Sequence, residues 1–224
     1  MRTFVYVDGF NFYHGRIKRS GAKWLDLVAL FEKKLLPLKS REAELLKLKF
    51  FTSEIKAKFA SRGQDAHQAQ QSYHRALTVT YPSKVEIIKG YYSERVDHAM
   101  AFVEGSPPSK LNRTRVWKLE EKQTDVLMAL EMYRDASLGL CDQIVVCSND
   151  SDMEPSISLI KQDFPHIRIG MVIPREQDGQ RVITSASERV DWVLNYISNE
   201  ALAESQYPDT IPTRRKPIRK PAHW

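Results

Sequence analysis

The sequence predicts an α/β protein, a three-layer α/β/α sandwich built around a mainly parallel central sheet. Short apolar runs rich in β-branched and aromatic residues alternate with longer segments whose apolar positions repeat at helical spacing. A length of 224 residues suits one well-buried domain with elaborations rather than two domains. Strands that alternate with helices form parallel sheets covered on both faces, and right-handed crossovers make such a sheet doubly wound.

Three strands and three helices are predicted in the first half of the chain. The predicted strands are residues 3–7 (TFVYV), 45–52 and 85–91. The predicted helices begin near Asn11, cover residues 25–36 up to Pro37, and cover residues 57–80. Residues 92–116, with a Gly-Ser-Pro-Pro turn, interrupt this alternation and indicate an excursion such as a hairpin or flap.

The second half continues the alternation, and its clearest element is the apolar strand at residues 143–147 (QIVVC). The other predicted elements are helices at 123–137 and 152–162, a strand at 167–172, and an amphipathic closing helix at 187–198. One domain therefore covers about residues 1–200. Proline and basic residues dominate residues 206–224, which are expected to be disordered.

Composition and charge narrow the class of protein. Hydrophobic residues make up 42% and charged residues 28%, as in ordinary water-soluble proteins, and no apolar run is long enough to span a membrane. The N-terminus lacks the pattern of a secretory signal, so the expected location is the cytoplasm, with no membrane partner. The two cysteines form no CxxC pair, which argues against a thiolate zinc site. A net charge of +6 is compatible with a polyanionic partner.

Four aspartates are predicted to meet at one edge of the sheet. Asp8 ends the first strand, Asp150 and Asp152 follow the strand at 143–147, and Asp125 lies near the start of the preceding helix. Ligands of open α/β sheets bind outside the carboxyl ends of the strands, where these acids fall. Carboxylates at this density repel one another unless a cation is bound, and Mg²⁺ or Mn²⁺ prefers such hard oxygen ligands. Asn11 is placed to orient Asp8 or a metal-held water.

Each aspartate also has a purely structural interpretation. Asp8-Gly9 is a common strand-ending turn, and Asp150 or Asp152 is suited to cap the following helix. Asp125 is electrostatically favourable at a helix N-terminus. Their shared position at the sheet edge, rather than any single residue, is what favours metal binding.

Three segments resemble the acidic motifs of NYN domains, in particular those of the LabA-like group of the PIN-like nuclease superfamily. The segment from Phe4 to Tyr13 (FVYVDGFNFY) resembles the opening motif, Lys122 to Val126 (KQTDV) the second, and Ile144 to Asp152 (IVVCSNDSD) the third. Glu188 to Val193 is similar to the closing helix. The motifs occur in the family's order and span roughly residues 3–195.

This resemblance implies a PIN-like Rossmannoid fold and metal-dependent cleavage of RNA phosphodiester bonds. It implies metal-centred roles for Asp8, Asp125, Asp150 and Asp152, with catalytic support from Asn11 and Ser148 and with Mg²⁺ or Mn²⁺ as cofactor. The implied partner is RNA, single-stranded or structured. The sequence leaves open whether the chain forms a homodimer.

Basic residues interleaved with aromatic ones are candidates for binding that RNA. Phosphate contacts combined with base stacking hold a single strand with little sequence preference. The candidates in the middle of the chain are Tyr92, Arg95, Lys110, Arg113, Arg115 and Lys118, and those in the tail are Arg214, Arg215 and Lys216. The alternative is that the aromatic rings pack within the domain while the charges are solvated. His14, close to the opening motif, is a further candidate for substrate contact.

The leading hypothesis is therefore a metal-dependent endoribonuclease. The second is a catalytically silent NYN module that binds RNA or a protein in a regulatory role. A third is a phosphatase or phosphotransferase with Asp8 as nucleophile, but that chemistry usually places a second acid two residues later, where this chain has Phe10. No glycine-rich phosphate loop is present, which argues against nucleotide-dependent enzymes.

Overall fold

The structure is a computed structural model that describes residues 1–177 and 185–224. Six parallel strands form the central sheet, in the order β3-β2-β1-β6-β7-β8. These strands are β1 (Arg2–Asp8), β2 (Glu44–Thr52), β3 (Val85–Lys89), β6 (Gln143–Cys147), β7 (Arg168–Val172) and β8 (Trp192–Leu194). An antiparallel hairpin of β4 (Tyr91–Met100) and β5 (Arg113–Lys122) projects where the sequence indicates an excursion.

Helices cover both faces of the sheet, as predicted for a three-layer sandwich. The α-helices are α1 (Gly9–Phe12), α2 (Leu27–Ala29), α3 (Leu36–Lys39), α4 (Gly63–Thr80), α5 (Thr124–Ser137), α6 (Glu154–Asp163), α7 (Ser185–Glu188) and α8 (Asn199–Ala203). Two π-helical segments, Tyr13–Ile17 and Leu30–Leu35, extend α1 and join α2 to α3. The second helical region passes Pro37, its predicted end, because proline is tolerated in the first turn of α3.

Side chains on β1 alternate between the two faces and so divide the core. Val5 and Val7 belong to one apolar cluster, with α2, α4 and the C-terminal segments. Phe4 and Tyr6 belong to the other cluster, with α5 and α6. β1 is buried on both faces, which explains its continuous apolar sequence.

The topology brings the acidic segments together. From β1 the chain builds outward through β2 and β3, then returns through the hairpin and α5 to place β6 on the other side of β1. The strand order therefore reverses between β1 and β6, where Val7 is paired with Cys147. Such a switch point leaves a crevice at the carboxyl ends of the two strands. β1 ends on Asp8, and β6 is followed by the segment that contains Asp150 and Asp152.

The prediction of a closing helix at residues 187–198 is wrong. Only α7 overlaps its beginning, and Trp192–Leu194 forms the edge strand β8, parallel to β7. Trp192 pairs with Gly170, where an added Cβ would lie 2.1 Å from the indole Cζ2. The indole fits because Gly170 has no side chain, a contact between distant residues that outweighs local helical periodicity.

The expected disorder of residues 206–224 must also be corrected. Tyr207, Ile211 and Ile218 are buried in the core, and β9 (Thr210–Ile211) pairs with β10 (Ile218–Arg219). Trp24 donates a hydrogen bond to the carbonyl oxygen of Pro208 at 2.8 Å, and its ring contacts Trp224 with the ring centres 6.1 Å apart. The apolar residues spaced along the tail anchor it despite its basic, proline-rich composition.

The remaining expectations from composition concern membranes and thiols. No helix in the described ranges combines the length and apolar character needed to cross a bilayer.

Cys141 and Cys147 are both buried and free. Burial raises the pKa of the Cys141 thiol to about 12, so it stays protonated and unreactive at neutral pH.

Candidate metal centre

Asp8 is the most buried of the predicted ligands, with 6% of its surface exposed. One carboxylate oxygen accepts a hydrogen bond from the backbone nitrogen of Asn11 at 3.0 Å, which caps α1. The other accepts from the side-chain amide of Asn11 and from the Ser148 hydroxyl, the latter at 2.9 Å. Asn11 and Ser148 thus hold Asp8 in place, which is the orienting role considered for Asn11 from the sequence.

Asp150 is linked to Asp8 through the same serine. The Ser148 hydroxyl donates to Asp8 and accepts from the backbone nitrogen of Asp150 at 3.1 Å. The carboxylate of Asp150 accepts from the backbone nitrogen of Asp152 at 3.0 Å. The capping role considered from sequence therefore exists, and it fixes the carboxylate in position without occupying all of its lone pairs.

Asp125 completes the group from the first turn of α5. It is placed there by Gln123, whose φ of 74° is left-handed and turns the chain from β5 into the helix. Burial, together with the charges of Asp8, Asp150, Glu121 and Asp152, raises the pKa of Asp125 to about 6. The five acids thus form one electrostatically strained cluster.

The geometry of the cluster suits a divalent cation. Asp8, Asp125 and Asp150 each present a carboxylate oxygen within 4.8 Å of the other two. Two oxygens bound to one Mg²⁺ at about 2.1 Å lie at most about 4.2 Å apart, so small side-chain movements bring all three into contact with one ion. All the donors are hard oxygens, which favours Mg²⁺ or Mn²⁺ over softer metals.

Asp152 and Glu121 lie around this three-acid group. Asp152, predicted as a fourth ligand, is exposed and outside the group, although its charge contributes to the raised pKa of Asp125. Glu121, near the end of β5, was not predicted. Burial raises its pKa, and the Asp8 charge adds to that effect. Its position four residues before Asp125 is the only sequence feature that could have indicated it.

The predicted RNA-contacting residues are distributed unevenly. Arg113 pairs with Met100 at the far end of the hairpin and Lys122 pairs with Tyr91 at its base. The separation of nine residues (122 − 113 = 9) corresponds to about 30 Å along the strand, so Arg113 and Arg115 lie far from the acids. Arg95 and Lys118 form ion pairs with Glu120. Lys110, Arg214, Arg215 and Lys216 are exposed, whereas Tyr92 lies partly buried beside the acidic centre.

Replacing Asp125 by asparagine is expected to stabilise the metal-free protein. The folded pKa of about 6 exceeds the ordinary 3.8, so the wild type loses stability as the pH rises from 3.8 to 6, and the full loss is present above that. At pH 7.5 in EDTA the free energy of unfolding should rise by about 1–2 kcal/mol, allowing for partial solvent screening. Chemical denaturation at pH 4 and pH 7.5 measures the difference, which should be smaller at pH 4.

The same variant should lose the rise in melting temperature that Mn²⁺ gives the wild type. The matched control is Asp163→Asn, which alters an aspartate at the end of α6 that accepts from the Tyr133 hydroxyl at 2.8 Å. This control should keep the metal response. A metal-free Asp125→Asn protein less stable than the wild type at pH 7.5 would show that the acids do not repel one another.

Comparison with known proteins gives a relative in sequence and a neighbour in structure. No family model matches the chain. A crystal structure of a protein of unknown function from Vibrio parahaemolyticus aligns with 88% of this chain and 91% of its own, at 15% identity and a TM-score of 0.47. The 6-hydroxy-3-succinoylpyridine 3-monooxygenase HspA of Pseudomonas putida is 35% identical over 239 aligned residues, which cover 100% of this chain and 75% of the relative.

The sequence relative is an enzyme, which supports an enzymatic function for this protein. The aligned region covers the whole chain and therefore spans the acidic segments, the hairpin and the packed C-terminal tail. The chain belongs to the family of the 6-hydroxy-3-succinoylpyridine 3-monooxygenase HspA.

Proposed function

We propose that this protein is a metal-dependent endoribonuclease, with Asp8, Asp125 and Asp150 holding Mg²⁺ or Mn²⁺. The observation that carries the proposal is the meeting of these three carboxylates at the switch point of the sheet. In this chemistry water adds across a P–O bond, so that one RNA fragment keeps the phosphate and the other gains a hydroxyl. The cation supplies water activation and stabilises charge on the phosphoryl oxygens.

The residues around the three acids support this role in different ways. Asn11 and Ser148 fix the orientation of Asp8 with hydrogen bonds, so the site is organised before any ligand binds. Asp152 at the exposed rim is placed to bind water or a second cation. The resemblance of the acidic segments to NYN domains points to the same chemistry.

Recognition of RNA is assigned to the hairpin and to the exposed tail. Arg113 lies about 30 Å and Arg115 about 23 Å along the strand from Lys122 at the hairpin base, so they contact phosphates several nucleotides from the scissile bond. The exposed Arg214, Arg215 and Lys216 add a second basic patch. The catalytically silent alternative predicts that RNA and metal bind without product.

A second candidate is monooxygenation of a pyridine ring, which the full-length likeness to HspA favours. In such a reaction one atom of O₂ enters the substrate, while two electrons from a reductant and two protons convert the other atom to water. Carboxylates bind several hard metals, so the acidic cluster could hold a redox-active cation such as iron or manganese.

The two candidates can be separated with one metal-dialysed preparation. The protein is incubated with 5′-labelled single-stranded RNA and Mg²⁺ or Mn²⁺, and the products are resolved on a denaturing gel. In parallel, O₂ consumption is followed with 6-hydroxy-3-succinoylpyridine, NADH and each of iron, manganese and magnesium. Metal-dependent RNA fragments without O₂ consumption support the nuclease.

If O₂ and the pyridine are consumed together while the RNA stays intact, the monooxygenase replaces the nuclease as the proposed function. RNA binding without either reaction would favour the silent module.

A further inference from the structure

A cavity of about 290 Å³ opens next to the acidic centre. Its volume is at the small end of the range for sites that bind small molecules, so it suits one ring system rather than a folded chain. Aromatic side chains from five separate parts of the chain line it, among them Phe10, Phe50, Tyr73, Tyr92 and Trp224. Flat apolar walls of this kind favour a planar ring as the occupant.

His74 adds an unsatisfied polar group to this lining. It lies on α4 and is only 7% exposed, and its ring contacts Phe50 with the ring centres 6.1 Å apart. Its Nδ1 atom is buried without a hydrogen-bond partner among the described residues. Burial lowers the pKa of His74 to about 4, so the ring is neutral at physiological pH and offers one donor and one acceptor nitrogen. A buried polar atom of this kind calls for a ligand that pairs with it.

Two cations lie at the same cavity. Lys23 and Arg62 both line it, and Arg62 is exposed. Neither forms an ion pair within the described part of the chain, so both are free to meet an anionic group on a ligand.

The cavity is directly connected to the acids. Gly9, which follows Asp8, lines it, and so does Glu121. A ring held in the cavity therefore has its substituents close to Asp8.

We propose that this cavity binds a planar nitrogen heteroaromatic ring that carries an anionic group, with the ring against Phe10 and His74 and the anion toward Lys23 and Arg62. Such a ligand has two sources: the base of an RNA nucleotide, or a free heteroaromatic acid. The claim that the bound ring places a reacting atom near the acids rests on the proposed function. The claim that the cavity binds the ring does not.

The test measures binding in EDTA, where no turnover takes place. Adenosine 5′-monophosphate, 6-hydroxynicotinate and ribose 5-phosphate are titrated against the full chain by calorimetry. The variants are His74→Phe, which keeps an aromatic ring but removes the nitrogens, and Phe10→Ala at a position that is 48% exposed. Phe102→Ala, at a 93% exposed aromatic residue between β4 and β5, is the matched control. Circular dichroism confirms that each variant is folded.

Saturable binding of either ring compound is expected, weakened about tenfold or more in folded His74→Phe and Phe10→Ala proteins and unchanged in Phe102→Ala. Preference for the nucleotide supports the RNA source, and preference for 6-hydroxynicotinate supports the free acid. Ribose 5-phosphate binding as tightly as the nucleotide, or ring binding that ignores both variants, overturns the proposal. Absence of RNA cleavage with intact ring binding would contradict the proposed function alone.

Discussion

Replacing Asp150 by asparagine should reduce metal-dependent RNA cleavage by about a thousandfold or more. The substitution removes one of three carboxylates that hold the cation, and with it charge that asparagine cannot supply. The fold should survive, because the asparagine oxygen can still accept the hydrogen bond from the backbone nitrogen of Asp152. Single-turnover cleavage of labelled RNA by metal-dialysed protein, with Mn²⁺ added back, measures the effect.

The control for this experiment is again Asp163→Asn, which removes a carboxylate outside the acidic centre. Both variants are purified by the same procedure, so a contaminating nuclease would act equally in the two samples. Full cleavage by the control and none by Asp150→Asn would support the assignment. Cleavage retained by a pure Asp150→Asn preparation would remove Asp150 from the reaction.

Replacing Lys49 by methionine should reduce the free energy of unfolding by about 3–5 kcal/mol, the loss that follows when one partner of a buried ion pair is removed. Lys49 is 5% exposed and forms ion pairs with Asp135 and Glu131. Burial acts to lower the pKa of Lys49, but hydrogen bonds to the two acids outweigh it and leave the pKa raised. The variant leaves Asp135, which also accepts from the Tyr6 hydroxyl at 2.6 Å, as a buried charge without its cation.

The double variant Lys49→Met with Asp135→Asn tests this explanation. Asparagine still accepts from Tyr6 but carries no charge, so most of the lost stability should return. Lys34→Met, which breaks the exposed ion pair with Glu204, should change stability by less than about 1 kcal/mol. Urea denaturation compares all three with the wild type. A Lys49→Met protein as stable as Lys34→Met would show that the buried network contributes little.

Asp125 and Asp135, near the two ends of α5, illustrate two uses of charge. Asp135 lies on α5 with a buried cation as its partner, whereas Asp125 on the same helix is surrounded by acids. Substitution of the first is expected to destabilise the fold, and substitution of the second to stabilise the metal-free protein. The opposite signs of these two expected stability changes distinguish Asp135, an acid with a structural role, from Asp125, an acid placed for ligand binding.

The sequence predicted most of the acidic centre because its members follow recognisable strands. Asp8 is the last residue of β1, and Asp150 follows closely after β6. Acids at the carboxyl ends of adjacent parallel strands meet, so only the strands had to be assigned to predict this convergence. Glu121 and the exposed position of Asp152 could not be predicted in this way. The position of Glu121 depends on how the hairpin enters α5, and that of Asp152 depends on how the turn after β6 is oriented. Contacts between segments distant in sequence determine both.

By itself, the sequence determined the parallel sandwich and the convergence of Asp8, Asp125 and Asp150, since alternating periodicity and right-handed crossovers restrict the topology to a few choices. Only the tertiary structure decided the edge strand β8, the packed tail and the aromatic cavity. Each depends on pairs such as Gly170 with Trp192 and Trp24 with Trp224. The stability of such pairs comes from surface buried between distant segments, which local pattern does not encode.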